Sequence, residues 1–162
     1  MHDAAYRFVA DTVRARPIPP GLTVEIGGRN INGTIRSLFP PPFISLDVRS
    51  GRGVDVVADG ATWMPPTLAV CVVCCEVLEH TPDAAAICAQ AFRMLGAGGL
   101  FIVTTAGPTR APHSALDGGA LLAGEFYCGV DPAALDVWLT PFRDRLIVEG
   151  RAHGDVYALA WK

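Results

Sequence analysis

The chain reads Val24-Glu25-Ile26-Gly27-Gly28-Arg29-Asn30-Ile31-Asn32-Gly33 near its N-terminus, a short apolar run followed by a glycine turn. This order predicts a strand, a loop and a helical segment, at a place where the glycines let the backbone approach a ligand. Asp47 follows 20 residues after Gly27, at the end of the next apolar run. Because a carboxylate there can accept hydrogen bonds from both hydroxyls of a ribose, the two features predict an adenosine-type ligand.

The apolar runs predict an α/β fold, a doubly wound and mostly parallel Rossmann-like sheet with helices on both faces. Each run is apolar enough to be covered on both faces, as is typical of parallel strands. A C-terminal antiparallel hairpin is expected from residues 146–148 and 156–161. The expected parallel strands are Leu22 to Ile26, Phe43 to Val48, Val54 to Ala58, Leu68 to Cys75 and Leu100 to Thr104.

Only residues 49–53 separate the second and third expected strands. A parallel crossover usually needs about a dozen residues. The third strand is therefore either short and marginal, or joined to the second by a loop that replaces the usual helix.

Three segments carry helix signals. Apolar residues recur at helical spacing from Ala5 to Val13, which predicts an amphipathic N-terminal helix that ends before Pro17. Thr81-Pro82-Asp83 and Asp131-Pro132 each place a capping side chain beside a proline, which is typical of a helix start.

The composition bounds the class of protein. The chain has 162 residues, 51% of them apolar and 18% charged, and no apolar run approaches the length of a membrane span. We expect one domain that is not membrane-bound. The first 16 residues lack the order of a secretory signal, so we expect a cytoplasmic protein. A net charge of -3 disfavours a nucleic-acid partner without excluding it.

Neither the cysteines nor the histidines show the spacing of a metal site. Cys71 and Cys74 form a Cys-x-x-Cys, but within a strand they point to opposite faces and cannot share a metal ion. We expect reduced thiols that pack as small apolar side chains. The four histidines show no ligand spacing with acids or thiols, so no metal is expected.

An ordered series of motifs covers residues 22–105. The series resembles that of class I S-adenosylmethionine-dependent methyltransferases, of the broad type whose fourth strand runs into Leu-Glu-His. Its order and spacing are more specific than any single motif. The motifs are Glu25-Ile26-Gly27, then Asp47, then Ala58-Asp59-Gly60, then Cys75-Glu76-Val77-Leu78-Glu79-His80, and last Leu95-Gly96-Ala97-Gly98-Gly99-Leu100.

The resemblance implies S-adenosylmethionine as the cofactor and assigns its contacts. Glu25 and Gly27, with the neighbouring Gly28, would line the methionine part, and Asp47 would hold the ribose. Asp59 with Gly60 would face the adenine, and Glu76 would lie beside the cofactor's amino acid and sulfonium. The family's Gly-x-Gly-x-Gly is absent and the next glycine is Gly33, so we expect a wider turn.

The order of the predicted elements divides the chain. Residues 1–20 would form a lid helix, 21–106 the cofactor-binding core, 107–130 a substrate loop, and 131–162 a C-terminal helix and hairpin. The loop is long for a connection within one domain, which favours a functional role.

Candidate catalytic residues lie after the fourth and fifth strands. His113, in the substrate loop, can accept the proton that an oxygen or nitrogen acceptor loses, or it is a solvated loop histidine. Glu79 and His80 are candidates too, or are a structural acid and a packed or capping side chain. Tyr127 either orients an acceptor or packs the loop, and Arg29 either covers the cofactor carboxylate or faces water.

The leading hypothesis is a methyltransferase acting on a small-molecule acceptor. One alternative is a non-catalytic module that keeps the fold. A nicotinamide-dependent oxidoreductase is disfavoured because no Gly-x-Gly-x-x-Gly follows the first strand, and because the lone lysine, Lys162, is terminal and forms no Tyr-x-x-x-Lys.

Overall fold

The computed structural model describes residues 2–150 and 154–162, which form three α-helices and seven strands. Two 3₁₀ turns, Arg36–Leu38 and Leu78–His80, add to them. In chain order the elements are α1 (Asp3–Ala15), β1 (Thr23–Ile26), β2 (Phe43–Asp47), β3 (Val56–Val57), β4 (Ala69–Cys75), α2 (Ala84–Met94), β5 (Leu95–Ala106), α3 (Pro132–Trp138), β6 (Asp144–Glu149) and β7 (Asp155–Trp161).

One sheet takes up all these strands, in the order β3-β2-β1-β4-β5-β7-β6. Strands β1 to β5 pair in parallel, whereas β7 pairs antiparallel with both β5 and β6. The predicted parallel sheet with a C-terminal antiparallel hairpin is confirmed. The chain order reverses between β1 and β4, and such a switch point is where open α/β sheets bind ligands.

Alternate residues of the central strands point into two separate hydrophobic cores, one on each face of the sheet. On β4, Val72 and Cys74 belong to the core under α2 and α3, whereas Cys71 and Val73 face the core that α1 covers. Cys71 and Cys74 therefore lie on opposite faces, as the period of two predicted. All five cysteines are free thiols. The predicted covering of both faces by helices is confirmed.

The structure moves three of the predicted element boundaries. Strand β3 contains only Val56 and Val57, and a loop replaces a crossover helix before it. Strand β5 begins at Leu95, directly after α2, rather than at the predicted Leu100, so Gly96, Gly98 and Gly99 lie inside the strand. Helix α2 begins at Ala84 rather than at Pro82, and the Thr81 hydroxyl accepts a hydrogen bond from the amide of Asp83 instead of capping the helix.

The C-terminal elements follow their sequence signals more closely. Asp131 caps α3 by accepting hydrogen bonds from the amides of Ala133 and Ala134, with Pro132 in the first turn. Strands β6 and β7 form the predicted hairpin, and residues 151–153 of its turn lie outside the described residues. None of the helices in the described ranges is both long and apolar enough to cross a bilayer.

Candidate functional site

A cleft of about 390 Å³ opens at the carboxyl ends of β1, β2 and β4. Its walls come from the turns after these three strands and after β3, from the start of α2 and from the loop of residues 107–130. Every residue that the sequence assigned to the cofactor lines this cleft, namely Glu25, Gly27, Gly28, Asp47, Asp59, Gly60 and Glu76.

The turn after β1 is closely packed around its two glycines. The amides of Gly27 and Gly28 both donate to the carbonyl of Leu46, which ties the turn to β2. Gly27 has a φ of 76°, and a Cβ there would lie 2.1 Å from a methyl group of Val77. A Cβ on Gly28 would lie 1.7 Å from the Ser45 hydroxyl. These positions require glycine, which leaves backbone as the floor of the cleft.

Glu25 places a nearly buried carboxylate beneath this turn. Its side chain accepts a hydrogen bond of 2.8 Å from the Ser45 hydroxyl on β2. Burial raises the pKa of Glu25 above its ordinary value, an effect that the Ser45 bond and the charge of Arg36 partly offset. A cationic ligand group in the cleft favours the ionised form.

Asp47 stands at the end of β2 and is oriented by backbone amides. Its carboxylate accepts hydrogen bonds from the amide of Arg29, at 3.3 Å, and from that of Arg49, at 2.9 Å. Each carboxylate oxygen keeps lone-pair capacity for a ligand hydroxyl. The wide turn before it is closed by Asn30, whose side chain accepts from the amide of Gly33 at 3.0 Å.

Asp59 and Gly60 line the cleft from the turn after β3. The Asp59 carboxylate accepts from the amide of Ala61 at 2.8 Å, which fixes the turn. Gly60 packs against the side chain of Ile26, so that a Cβ there would lie 2.5 Å from a methyl group. The turn thereby brings Asp59 to the edge of the cleft.

Glu76 sits at the end of β4 with a left-handed backbone, φ 55°. The Thr104 hydroxyl donates to its carboxylate at 3.1 Å, and Arg110 lies 3.5 Å from its other oxygen. Burial, and next the charge of Glu79, raise the pKa of Glu76 to about 7. A left-handed non-glycine residue is strained, and such residues cluster at functional sites.

A polar network that the sequence did not reveal lies behind Glu76. Arg110 pairs with Asp155, whose side chain is fully buried, and with Glu76. His2 joins them, with its Nε2 at 3.0 Å from Asp155 and 2.8 Å from an Arg110 nitrogen. These residues come from the chain's start, from the loop after β5 and from β7, and no local motif signals their meeting.

Glu79 does not line the cleft. Its carboxylate is fully buried and accepts hydrogen bonds from the Thr105 hydroxyl, at 2.8 Å, and from the amide of Ala106, at 3.1 Å. The amide of Cys128 donates to its carbonyl. Burial raises the pKa of this carboxyl. The contacts give Glu79 a structural part, holding the end of β5 and the loop of residues 107–130.

His80, His113 and Tyr127 form an aromatic cluster beside the cleft, which His113 and Tyr127 do not themselves line. His80 lines the cleft, and its ring meets that of His113 edge-on, with centroids 4.9 Å apart. Tyr127 lies 5.4 Å from His80 and 5.1 Å from His113, so it packs the cluster together. Burial, and next His113, lower the pKa of His80 to about 4. Two of the sequence's candidates for catalysis thus come together, 33 residues apart in the chain.

The loop of residues 107–130 is ordered around Glu125. Its carboxylate accepts hydrogen bonds from the Ser114 hydroxyl and from the amides of Ala115 and Leu122. Ala115, Leu116, Gly124, Glu125 and Phe126 then line the cleft. Arg29 lines the cleft too.

Solved structures share this architecture at low sequence identity. The 1,6-didemethyltoxoflavin-N1-methyltransferase of Burkholderia thailandensis, with S-adenosylhomocysteine bound, matches over 98% of this chain and 78% of its own, with a TM-score of 0.70 and 13% identity. An amino pentose methyltransferase of Micromonospora echinaspora, with S-adenosylmethionine bound, matches over 98% and 91%, with a TM-score of 0.70 and 15% identity.

This chain has the class I methyltransferase fold. The N-methyltransferase NodS of Bradyrhizobium japonicum, with S-adenosylhomocysteine bound, shares it over 98% of this chain and 85% of its own, with a TM-score of 0.65 and 13% identity. No protein-family model and no curated protein sequence matches the chain. The methyltransferase fold thus confirms the fold that the motif series implied.

Proposed function

We propose that the chain binds S-adenosylmethionine in the cleft and transfers its methyl group to a small-molecule acceptor. One observation carries the proposal. Seven residues, assigned to the cofactor from motifs spread over residues 25–76, line a single cleft at the switch point of the sheet.

The charge of the cleft supports this cofactor. S-adenosylmethionine carries an ammonium and a sulfonium, and Glu25, Asp47, Asp59 and Glu76 bring four carboxyl groups to the cleft. The same carboxylates repel a pyrophosphate, which disfavours a nicotinamide dinucleotide. Because the pKa of Glu76 is raised to about 7, its carboxyl is partly protonated near neutral pH. A cationic group of the cofactor beside it would favour the ionised carboxylate.

The position of each cleft residue suggests which part of the cofactor it would contact. Asp47, held by two backbone amides, would accept the ribose hydroxyls. Glu25 and the glycine turn would face the methionine part, Asp59 with Gly60 the adenine, and Glu76 the ammonium and sulfonium.

When bound, the cofactor supplies an electrophilic methyl group for an in-line displacement. The protein then has to align the acceptor and exclude water, with a base only where the acceptor loses a proton. His80 reaches the cleft and stays neutral near pH 7, because its pKa is lowered. His80 would therefore orient the acceptor by a hydrogen bond, and His113 would take up its proton, whereas the contacts of Glu79 support a structural part.

A small acceptor fits the dimensions of the site. The cleft has a volume of about 390 Å³, and the loop of residues 107–130 contributes to its lining. Two of the similar structures are named for small molecules, a toxoflavin precursor and an amino pentose.

Isothermal titration tests the cofactor site. We expect micromolar binding of S-adenosylmethionine and S-adenosylhomocysteine, no binding of NAD, and at least about tenfold weaker binding of the sulfur cofactors by Asp47→Asn, which loses a charge-assisted ribose contact. The matched control is Asp11→Asn, an exposed acid on α1 whose change should leave binding intact.

Turnover separates an enzyme from a non-catalytic module. An acceptor screen that monitors release of S-adenosylhomocysteine should find a small molecule that is methylated by the wild-type chain. Absence of cofactor binding, or equal binding by Asp47→Asn and the wild type, would contradict the proposed site.

A further inference from the structure

Three metal-ligating side chains meet beside the cleft. One ligand atom from each of Glu79, His80 and His113 lies within 4.8 Å of the other two. We propose that these three residues bind a divalent first-row transition-metal ion, with an open coordination position toward the cleft. The site would be separate from the carboxylates that line the cofactor region, and its existence does not depend on methyl transfer. With an ion bound, His80 and His113 would act as its ligands in place of the acceptor contacts proposed above.

His80 offers a nitrogen that lacks a partner within the protein. Its Nδ1 is buried and, among the described residues, has no hydrogen bond. A buried polar atom without a partner is costly and rare, so it calls for an unseen water or ion.

His113 offers a second nitrogen in the form that binds metals. Its Nδ1 lies 3.2 Å from the carbonyl oxygen of Ala111. A carbonyl only accepts hydrogen bonds, so Nδ1 carries the proton and Nε2 keeps its lone pair. Metal-ligating histidines usually have this arrangement, with one nitrogen on the ion and the other donating to a carbonyl.

Glu79 offers an oxygen whose orientation is already fixed. The Thr105 hydroxyl and the amide of Ala106 each bond one carboxylate oxygen. An oxygen that accepts one hydrogen bond keeps capacity for a metal ion, and ligating carboxylates are commonly held by such bonds. A metal ion would also balance a charge that is otherwise fully buried.

The ligand set identifies the class of ion. Two imidazoles with one carboxylate suit ions such as Zn²⁺, Fe²⁺ or Co²⁺ rather than Mg²⁺ or Ca²⁺, which prefer oxygen ligands. Ligands at about 2.1 Å from a tetrahedral ion lie about 3.4 Å apart, so a small shift of the loop that carries His113 completes the site. Three protein ligands leave one position open, and His80 borders the cleft.

A second cluster of possible ligands is already filled by a cation. His2, Glu76 and Asp155 also bring ligand atoms within 4.8 Å of one another. The Arg110 guanidinium lies among them, paired with Asp155 and 3.5 Å from Glu76. Its positive charge repels a metal ion there, which leaves the histidine pair as the better site.

Cobalt titration of the full chain, stripped of metal with a chelator, tests the proposal. Co²⁺ bound by nitrogen and oxygen gives visible d–d absorption bands, and Zn²⁺ should displace it. We expect one Co²⁺ per chain. His80→Ala and His113→Ala should each weaken binding at least about tenfold, because each removes a ligand. Circular dichroism establishes that the variants are folded.

Two control variants test whether Co²⁺ binds elsewhere, at the exposed thiol of Cys128 or at the second cluster. Cys128→Ser removes the exposed thiol beside Tyr127, and His2→Gln removes the histidine of the second cluster; both should bind Co²⁺ like the wild type. The proposal is overturned if no stoichiometric Co²⁺ or Zn²⁺ binding occurs. It is equally overturned if binding survives in both His80→Ala and His113→Ala, or is lost in Cys128→Ser or His2→Gln instead.

Discussion

Titration of Glu76 makes the negative charge of the cleft depend on pH. Its pKa is raised from the ordinary 4.5 to about 7, chiefly by burial, so below about pH 7 its carboxyl is largely protonated in the free protein. A cationic cofactor favours the ionised form, and affinity should therefore rise as pH rises through 7. We expect S-adenosylmethionine to bind about tenfold more weakly at about pH 5.5 than at about pH 7.5.

Glu76→Gln provides the control for this pH effect. The amide keeps the size of the side chain and its contact with Thr104, but it does not titrate. Titration calorimetry at the two pH values should show a weaker and flatter pH dependence in the variant, with Glu25 accounting for what remains. An unchanged slope would mean that another group governs binding.

Substitution of Gly28 tests how closely the turn after β1 must pack against β2. An added Cβ would meet the Ser45 hydroxyl at 1.7 Å and the Glu25 carboxylate at 2.4 Å. Gly28→Ala should therefore break the bond between Ser45 and Glu25 and lower the free energy of unfolding by about 1–3 kcal/mol, measured with urea. Gly96→Ala is the control, since its nearest neighbour lies 3.7 Å away and the change should be tolerated.

The candidate site was predictable where its residues belong to local motifs. Asp47 and Glu76 each end a strand, and strand ends of a parallel sheet converge on one edge. Arg110 and Asp155 carry no such signal, because they meet only through the tertiary fold, 45 residues apart. The proximity of His80 and His113 could not be predicted either, since sequence spacing does not reveal the path of a long loop.

The stability of helix α3 depends on its N-terminal cap, Asp131. It has seven residues, too few to be stable alone, and Asp131 accepts hydrogen bonds from two of its first amides. Asp131→Ala should lower the free energy of unfolding by about 1 kcal/mol in urea. Asp131→Asn keeps an acceptor oxygen and should retain most of the stability; equal losses in the two variants would contradict capping.

Element boundaries were harder to predict than the elements themselves. The fifth strand was predicted to begin at Leu100, yet β5 begins at Leu95 and includes three glycines, because pairing with β4 and with Lys162 extends the strand. Thr81 and Pro82 indicated a helix start two residues too early. Tertiary pairing outweighs such local preferences, whose energies are small.

The overall fold was predictable from strand composition and motif order, but the polar network around Arg110 was not. Apolar strands fix a parallel sheet, and the hairpin pattern fixes the antiparallel end. Arg110 then connects the loop after β5 to Asp155 at the start of β7 and to His2 before α1. This network links both ends of the chain to Glu76, so the stability of the molecule and the cleft are coupled through it.

Arg110→Met tests that coupling across the molecule. The change leaves the Asp155 carboxylate buried without its main cationic partner, which should lower the free energy of unfolding by about 2–3 kcal/mol. The loss is smaller than for a fully buried pair because the Arg110 side chain is 21% exposed. Urea unfolding of Arg110→Met, Asp155→Asn and the double variant measures the interaction. The double variant should be less destabilised than the sum of the two single changes, whereas strict additivity would mean that the pair contributes no coupling energy.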